Sequence, residues 1–308
     1  MAEKKSLFSS LSLGVENYDS YEEFKLDHPG YSEEFYNQVK SNKEGGNPYK
    51  IFSSIADVFK KNKATFTANG RDAIYLALKH LESKKVVMPT YTCRRVLDAT
   101  LDAKCEPIIV DCGYDLQISF LSVIKALEEG ADTVIVPHMF GIQAPIDLIY
   151  KLKHTYNFKI IEDCSQCMGL PDIGKYSDIV IASLGPSKFI PVGDDKLFGG
   201  GVLAYNKPLK GKYHNILGVE YIEKAIDMAS EIEDRLKKRT VLAQELITAK
   251  MNLIGQDQPN AWLRAMYVNF DQKQSRVPYT PLHDIYGPFD CPKVDSYKDY
   301  IDWISIII

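Results

Sequence analysis

"KIIEDCSQCMG", residues 159–169, decides how this chain folds, because it carries a short β-branched run into two acids and then into a Cys-x-x-Cys pair. A run of that length, apolar and bounded by polar residues, reads as a strand buried in a sheet. In open α/β sheets the ligand crevice lies beyond the carboxyl ends of the strands, where Glu162 and Asp163 stand. Side chains alternate along a strand, so the two acids point to opposite faces and only one can address a ligand. Either the thiols of Cys164 and Cys167 carry the chemistry, or Asp163 and Gln166, interleaved with them, do.

The same grammar extends on both sides. "KVVMP" (85–89), "PIIVD" (107–111), "TVIVP" (133–137), "DIVIASL" (178–184) and "GVLAY" (201–205) are further strand candidates. Between them "RDAIYLALKHL", "CRRVLDATLD", "FLSVIKALEEG" and "PIDLIYKLKHTY" place apolar residues at helical spacing. Strands alternating with helices predict an α/β fold, a mostly parallel central sheet flanked by helices. Residues 1–60, polar and Tyr-rich, read as an N-terminal arm or lid, and 61–208 as the large domain. A charged helical stretch, "EYIEKAIDMASEIEDRLKKRTVLAQELITAKM", introduces 209–308 as a small C-terminal α+β domain.

Composition narrows the function classes. A formal charge of −4 over 308 residues supplies no electrostatic footprint for nucleic acid or an anionic membrane. No apolar run reaches bilayer length, and the first twenty residues are too polar for a secretion signal, so a cytoplasmic small-molecule enzyme is expected. The six cysteines lack disulfide-framework spacing and are expected reduced. Zinc would need a second close Cys/His pair, and Cys105 and Cys112 lie too far apart across a strand, so no metal is expected.

Three segments bear on chemistry. "TANGRDAIYLAL" (67–78) sets Asn-Gly before an amphipathic helix, so the amides at Gly70 and Arg71 form a potential phosphate cradle; the plainer alternative is ordinary turn chemistry. Asp163 either meets a cationic group of a ligand or caps the next helix. "IASLGPSKFIPVGDDKLFGGGVLAY" delivers Ser183 at the end of a strand and Lys188 five residues later, beside glycines that admit close backbone approach. Lys188 is then either a nucleophile held near low-dielectric walls or a surface lysine. His138, directly after a strand, either lines the site or is a hydrogen-bonded structural residue.

Taken in order, a Gly turn before a helix, an Asp-x-x-Gln after a strand and a Ser-x-x-x-x-Lys farther on resemble the sugar-nucleotide aminotransferases of the DegT/StrS family. These are fold-type I enzymes dependent on pyridoxal 5'-phosphate. "VVMPTYTC", "PIIVD", "VIVPHMFG" and "PYTPLHDIYG" resemble further stretches of that family. The resemblance implies that Lys188 carries the cofactor and shuttles protons, that Asp163 pairs with the pyridine nitrogen, and that Gln166 bonds the ring's 3-oxygen. Ser183 with the Gly70 and Arg71 amides would hold the phosphate. Cys93 stands where many members stack an aromatic residue on the ring, and Arg71 replaces a small hydroxyl residue. Tyr91, His138 and His283 are the implied substrate neighbours. The resemblance further implies a nucleotide-linked keto sugar as substrate, glutamate as amino donor, a homodimer, and a role in polysaccharide or glycoside biosynthesis. A sugar lyase or dehydratase, or a non-catalytic relative, is the alternative.

Overall fold

The computed structural model describes residues 20–27, 33, 37, 55–192, 199–207, 219–249, 251–268 and 279–305. The expected N-terminal arm falls mostly outside these residues. Its described parts are α1 (Tyr21–Asp27) and a helical turn at 55–58, from which Ile55 and Ala56, with the nearby Phe59, are buried against the sheet.

Seven strands form one sheet: β1 (Lys63–Thr67), β2 (Lys85–Pro89), β3 (Glu106–Val110), β4 (Thr133–Pro137), β5 (Lys159–Asp163), β6 (Ile179–Ser183) and β7 (Gly201–Tyr205). Their order is β1-β7-β6-β5-β4-β2-β3, and β7 alone runs against its neighbours. The sheet is therefore mostly parallel, as the alternation of strands and helices predicts. Both faces are covered, which is why the strands are nearly continuous apolar runs. Ile135, Ile161, Ile181 and Leu203 pack on one side with α2 (Gly70–His80) and α3 (Arg94–Asp102). Val87, Val134, Val136 and Ile160 face the other side with α4 (Phe120–Glu128) and α5 (Ile146–Lys151). Each such fully buried Ile or Val contributes about 1.5–3 kcal/mol of transfer free energy.

β1, "KATFT", is the strand that the hydrophobic pattern does not reveal. Its threonines are buried and satisfied locally: Thr65 Oγ1 lies 3.0 Å from Tyr205 Oη, and Thr67 Oγ1 donates to the Asn69 carbonyl at 2.8 Å. Polar side chains that find partners can sit in a buried strand. The charged helical stretch is also two helices, α6 (Val219–Ser230) and α7 (Ile232–Thr248), parted at Glu231. Beyond them β8 (Arg264–Val268) pairs antiparallel with β9 (Ile301–Ser305), and α8 (Leu282–Ile285) and α9 (Pro292–Tyr297) lie between the two in sequence.

Register decides where the chemistry collects. Pro137 pairs with Asp163, Asp163 with Ile181, Ser183 with Gly201, and Gly201 with Thr67. The carboxyl ends of β1, β4, β5 and β6 thus lie along one edge of the sheet, and antiparallel β7 begins there.

Candidate functional site

At that edge a cavity of about 530 Å³ opens among the loops that leave the strands. Gly70, Arg71, Cys93, His138, Asp163, Gln166, Ser183 and Lys188 all line it. The structure thus brings together residues spread over more than a hundred positions of sequence.

The wall at Gly70 is built for close approach. Asn69 caps α2, its side chain accepting from Asp72 N at 3.0 Å, and helix geometry leaves the Gly70 and Arg71 amides without an intrahelical acceptor. A Cβ on Gly70 would come within 2.8 Å of Ser183 Cβ, so only glycine lets this turn and the end of β6 share one side of the cavity. Ser183 in turn is fixed by Ser165, whose Oγ accepts the Ser183 N–H at 2.9 Å. The Arg71 guanidinium forms an ion pair with Asp102.

The two acids of β5 divide as side-chain alternation predicts. Asp163 lines the cavity and accepts the Ser165 N–H at 2.9 Å through one oxygen. Glu162, fully buried, serves the fold: one oxygen is 2.9 Å from His138 Nε2, and the other accepts from Gly174 N at 2.9 Å and Ser177 Oγ at 2.7 Å. Lys61 donates to the carbonyls of Gly174 and Ser177, both at 2.6 Å, clamping the same turn. Burial lowers the pKa of this lysine, while Glu162 and Asp178 oppose the shift.

His138 accepts the Ala144 N–H on Nδ1 at 2.9 Å. Its proton therefore sits on Nε2, donated to Glu162, and the ring is neutral in this arrangement. Gln166 is held at one end and loose at the other. Its Oε1 accepts the Phe140 N–H at 3.0 Å, while its Nε2 meets only the weak acceptor Met139 Sδ at 3.6 Å and Tyr279 Oη at 3.3 Å. That amide can turn to a stronger acceptor in the cavity.

The thiols are a different matter. Cys164 and Cys167 are fully buried within an apolar cluster that includes Ile55, Phe59 and Met168. Their ligand atoms and those of His138 lie within 4.8 Å of one another, a spacing that invites a metal. Both imidazole nitrogens already have partners, however, and burial raises the pKa of both thiols, holding them protonated. The pair packs; it does not present a nucleophile.

Two of the expected residues lie elsewhere. Tyr91 is 1% exposed and stacks on Tyr297 with ring centroids 6.4 Å apart, which makes it part of the core. Its loop points Thr92 and Cys93 into the cavity instead. His283 bonds Thr90 Oγ1 through Nδ1 and Asp295 at 3.1 Å through Nε2, tying the β2–α3 connection to the C-terminal part of the chain. Among the further lining residues, Asn69, Thr92, Ser165 and Tyr279 all lie in stretches quoted above without being singled out as site residues. Ser165 was legible only as the unmarked centre of the Cys-x-x-Cys.

Comparisons with known proteins bear on the family and the fold. The model of the DegT/DnrJ/EryC1/StrS aminotransferase family matches residues 36–224. The chain is 29% identical over 157 residues to a UDP-N-acetyl-3-dehydro-alpha-D-glucosamine 3-aminotransferase of Acidithiobacillus ferrooxidans, covering 48% of this chain and 42% of that protein. It is 28% identical over 181 residues to GDP-perosamine synthase of Escherichia coli O157:H7, covering 51% and 49%. The matches thus span less than half the length of these curated relatives. The fold of a putative sugar aminotransferase from Streptococcus pneumoniae, solved in its PMP form, superposes with a TM-score of 0.73 at 12% identity, covering 89% of each chain. With its fold-type I sheet and a family match over more than half its length, the chain belongs to the DegT/DnrJ/EryC1/StrS aminotransferase family.

Proposed function

We propose that this chain is a pyridoxal 5'-phosphate-dependent aminotransferase that moves an amino group, with glutamate as donor, onto a keto sugar linked to a nucleotide. One observation carries the reading: a single cavity collects a glycine cradle at a helix start, a serine, an aspartate, an amide and a lysine, from three different connections of the sheet. The donor set fits the cofactor. A Cβ at Gly70 would close the cradle, and Thr92, which lines the cavity, has a buried hydroxyl with no hydrogen-bond partner among the described residues.

The Gly70 and Arg71 amides and Ser183 Oγ would hold the phosphate, with the positive end of α2 favouring its charge. Asp163, whose second oxygen faces the cavity without a hydrogen bond among the described residues, would keep a proton on the pyridine nitrogen. Gln166 Nε2 would bond the ring oxygen. Lys188 Nζ would attach the cofactor and then carry a proton to and from the substrate carbon. When bound, the cofactor supplies the electron sink for cleaving a bond at the amino carbon. A homodimer in the cytoplasm completes the proposal, and the names of the relatives support the substrate class.

The test uses purified protein with pyridoxal 5'-phosphate. A visible absorption band should form, and borohydride should fix the cofactor to Lys188, while Lys188→Ala should abolish both. Incubation with 3-keto and 4-keto nucleotide sugars and glutamate should then yield an amino sugar. No band and no fixation at Lys188 would end the proposal; a deoxy sugar without net amino transfer would favour a dehydratase instead.

A further inference from the structure

Among the described residues, four side chains that line the cavity carry charge: Arg71, Arg95, Asp163 and Lys188. Arg71 is paired with Asp102, and the function proposed above assigns Asp163 and Lys188 to the cofactor. Arg95 is the cation left without a task. Its Nη1 lies 3.5 Å from one oxygen of Asp98, and Arg94 Nε lies 3.5 Å from the other. Both contacts are longer than a strong charge-assisted hydrogen bond, and the Arg95 and Arg94 side chains are 67% and 68% exposed. One carboxylate facing two guanidiniums leaves one positive charge over, and an exposed pair of this kind is easily exchanged. Position separates the two arginines, because Arg95 lines the cavity and Arg94 does not. Arg95 enters from the connection after β2, whereas Gly70, Asp163, Gln166, Ser183 and Lys188 belong to those after β1, β5 and β6. Asp163 and Gln166 are buried, so a molecule seated on them presents its outer part, not its reacting end, to the exposed Arg95.

We propose that Arg95 is a specificity-determining residue of the site, whose guanidinium exchanges Asp98 for a phosphoryl group carried by the sugar substrate. That the substrate is a keto sugar rests on the function proposed above; that the cavity takes a phosphoryl group at Arg95 rests on charge and position alone. The planar fork of a guanidinium matches two phosphate oxygens at once. Asp98 keeps Arg94 as its partner after the exchange, so no carboxylate is stranded. The diphosphate of a nucleotide-linked sugar and a phosphate ester on the sugar itself present the same oxygens. An uncharged keto sugar presents none and is selected against.

The experiment titrates the full chain, loaded with pyridoxal 5'-phosphate, calorimetrically with uridine 5'-diphosphate and with glucose 6-phosphate, in wild type, Arg95→Gln and Arg94→Gln. Each variant removes one positive charge from the same helical turn, so only a direct contact separates them. At least one probe should bind wild type, and Arg95→Gln should weaken it about tenfold, the loss of one exposed charge-assisted contact, while Arg94→Gln stays within about twofold. Arg95-dependent binding of the diphosphate alone supports the nucleotide linkage as the source of the phosphoryl group, and of the ester alone a sugar phosphate. In turnover with a keto sugar bearing the bound group, Arg95→Gln should raise KM about tenfold with kcat within about threefold, and KM for glutamate should move less than about threefold. Equal weakening by the two variants, no binding of either probe, or an equal rise in KM for glutamate overturns the inference. If no visible band forms with pyridoxal 5'-phosphate, the function proposal fails, and the same titrations without cofactor still decide for or against Arg95.

Discussion

His138 Nε2 lies 2.9 Å from Glu162 Oε1, both side chains fully buried, so the loop that leaves β4 is pinned to the face of β5 that Asp163 does not use. Adjacent acids therefore hold opposite offices: one builds the floor and the other looks into the cavity.

Removing the floor should unfold before it inactivates. Glu162→Ala strands the His138 Nε2–H, the Gly174 N–H and the Ser177 hydroxyl, and should destabilise the protein by about 3–5 kcal/mol, with Glu162→Gln milder. Urea denaturation measures this, and a loss below about 1 kcal/mol for Glu162→Ala would show the network to be dispensable.

Asp163 and the two thiols should separate cleanly. Cys164→Ala with Cys167→Ala should lower stability by about 1–3 kcal/mol through lost packing, yet leave the visible band with pyridoxal 5'-phosphate intact. Asp163→Ala should weaken cofactor affinity about tenfold or more at near-normal stability. The opposite pattern, thiols essential and Asp163 idle, would reverse the assignment of this stretch.

Glycines at the edge of the sheet should fail in two ways. Gly70→Ala places its Cβ 2.8 Å from Ser183 Cβ and should chiefly reduce affinity for the phosphate end of the cofactor, read by absorbance titration. Gly201→Ala meets the Asn69 carbonyl oxygen at 2.3 Å, a backbone atom that cannot swing aside, and should destabilise by about 2 kcal/mol or more. Equal effects of both changes on affinity and stability would contradict this division.

Gln166→Leu removes the acceptor of the Phe140 N–H, where the backbone turns through φ 62°, a conformation a bulky residue rarely holds unaided. Hydrogen exchange at 138–144 should accelerate, and stability should fall by about 1–3 kcal/mol. Unchanged exchange in that loop would mean that the His138–Ala144 contact alone suffices.

Lys61 provides a pH signature. Its folded pKa lies below the usual 10.5 because burial penalises the charge, so between the folded value and 10.5 the unfolded chain binds more protons. Its contribution to stability therefore rises as pH climbs through that alkaline window. The stability difference between wild type and Lys61→Met should shift toward wild type there, and a shift the other way would show a raised pKa.

How much of this could be read from the sequence follows from what each residue depends on. β2, β4 and β7 appear at their full lengths because strands buried on both faces of a sheet are written as unbroken apolar runs. β1 is hidden because its threonines rely on Tyr205 and Asn69, partners that only tertiary structure supplies. Asp163, Gln166, Ser183 and Lys188 stood out by following strands, and the cavity gathers all four. Tyr91 did not go where its motif suggested, because its ring finds Tyr297 from the far end of the chain. Thr92 and Ser165 could not be singled out, since a hydroxyl's importance lies in what it lacks or holds, and neither leaves a pattern in sequence.

The reversed direction of β7 governs when the site can exist at all. β7 sits between β6 and β1, pairing Ser183 and Thr67 through Gly201, so the oldest and youngest strands of the sheet meet only there. During synthesis the loop bearing Lys188 leaves β6 with no return anchor until residues 201–205 have emerged and slotted between strands formed long before. Such distant pairing is slow to find, and a chain stopped short of β7 would lack the strand that ties β1 to β6. The edge that carries Gly70, Asp163 and Ser183 is thus completed by the strand that leaves the ribosome last of the seven.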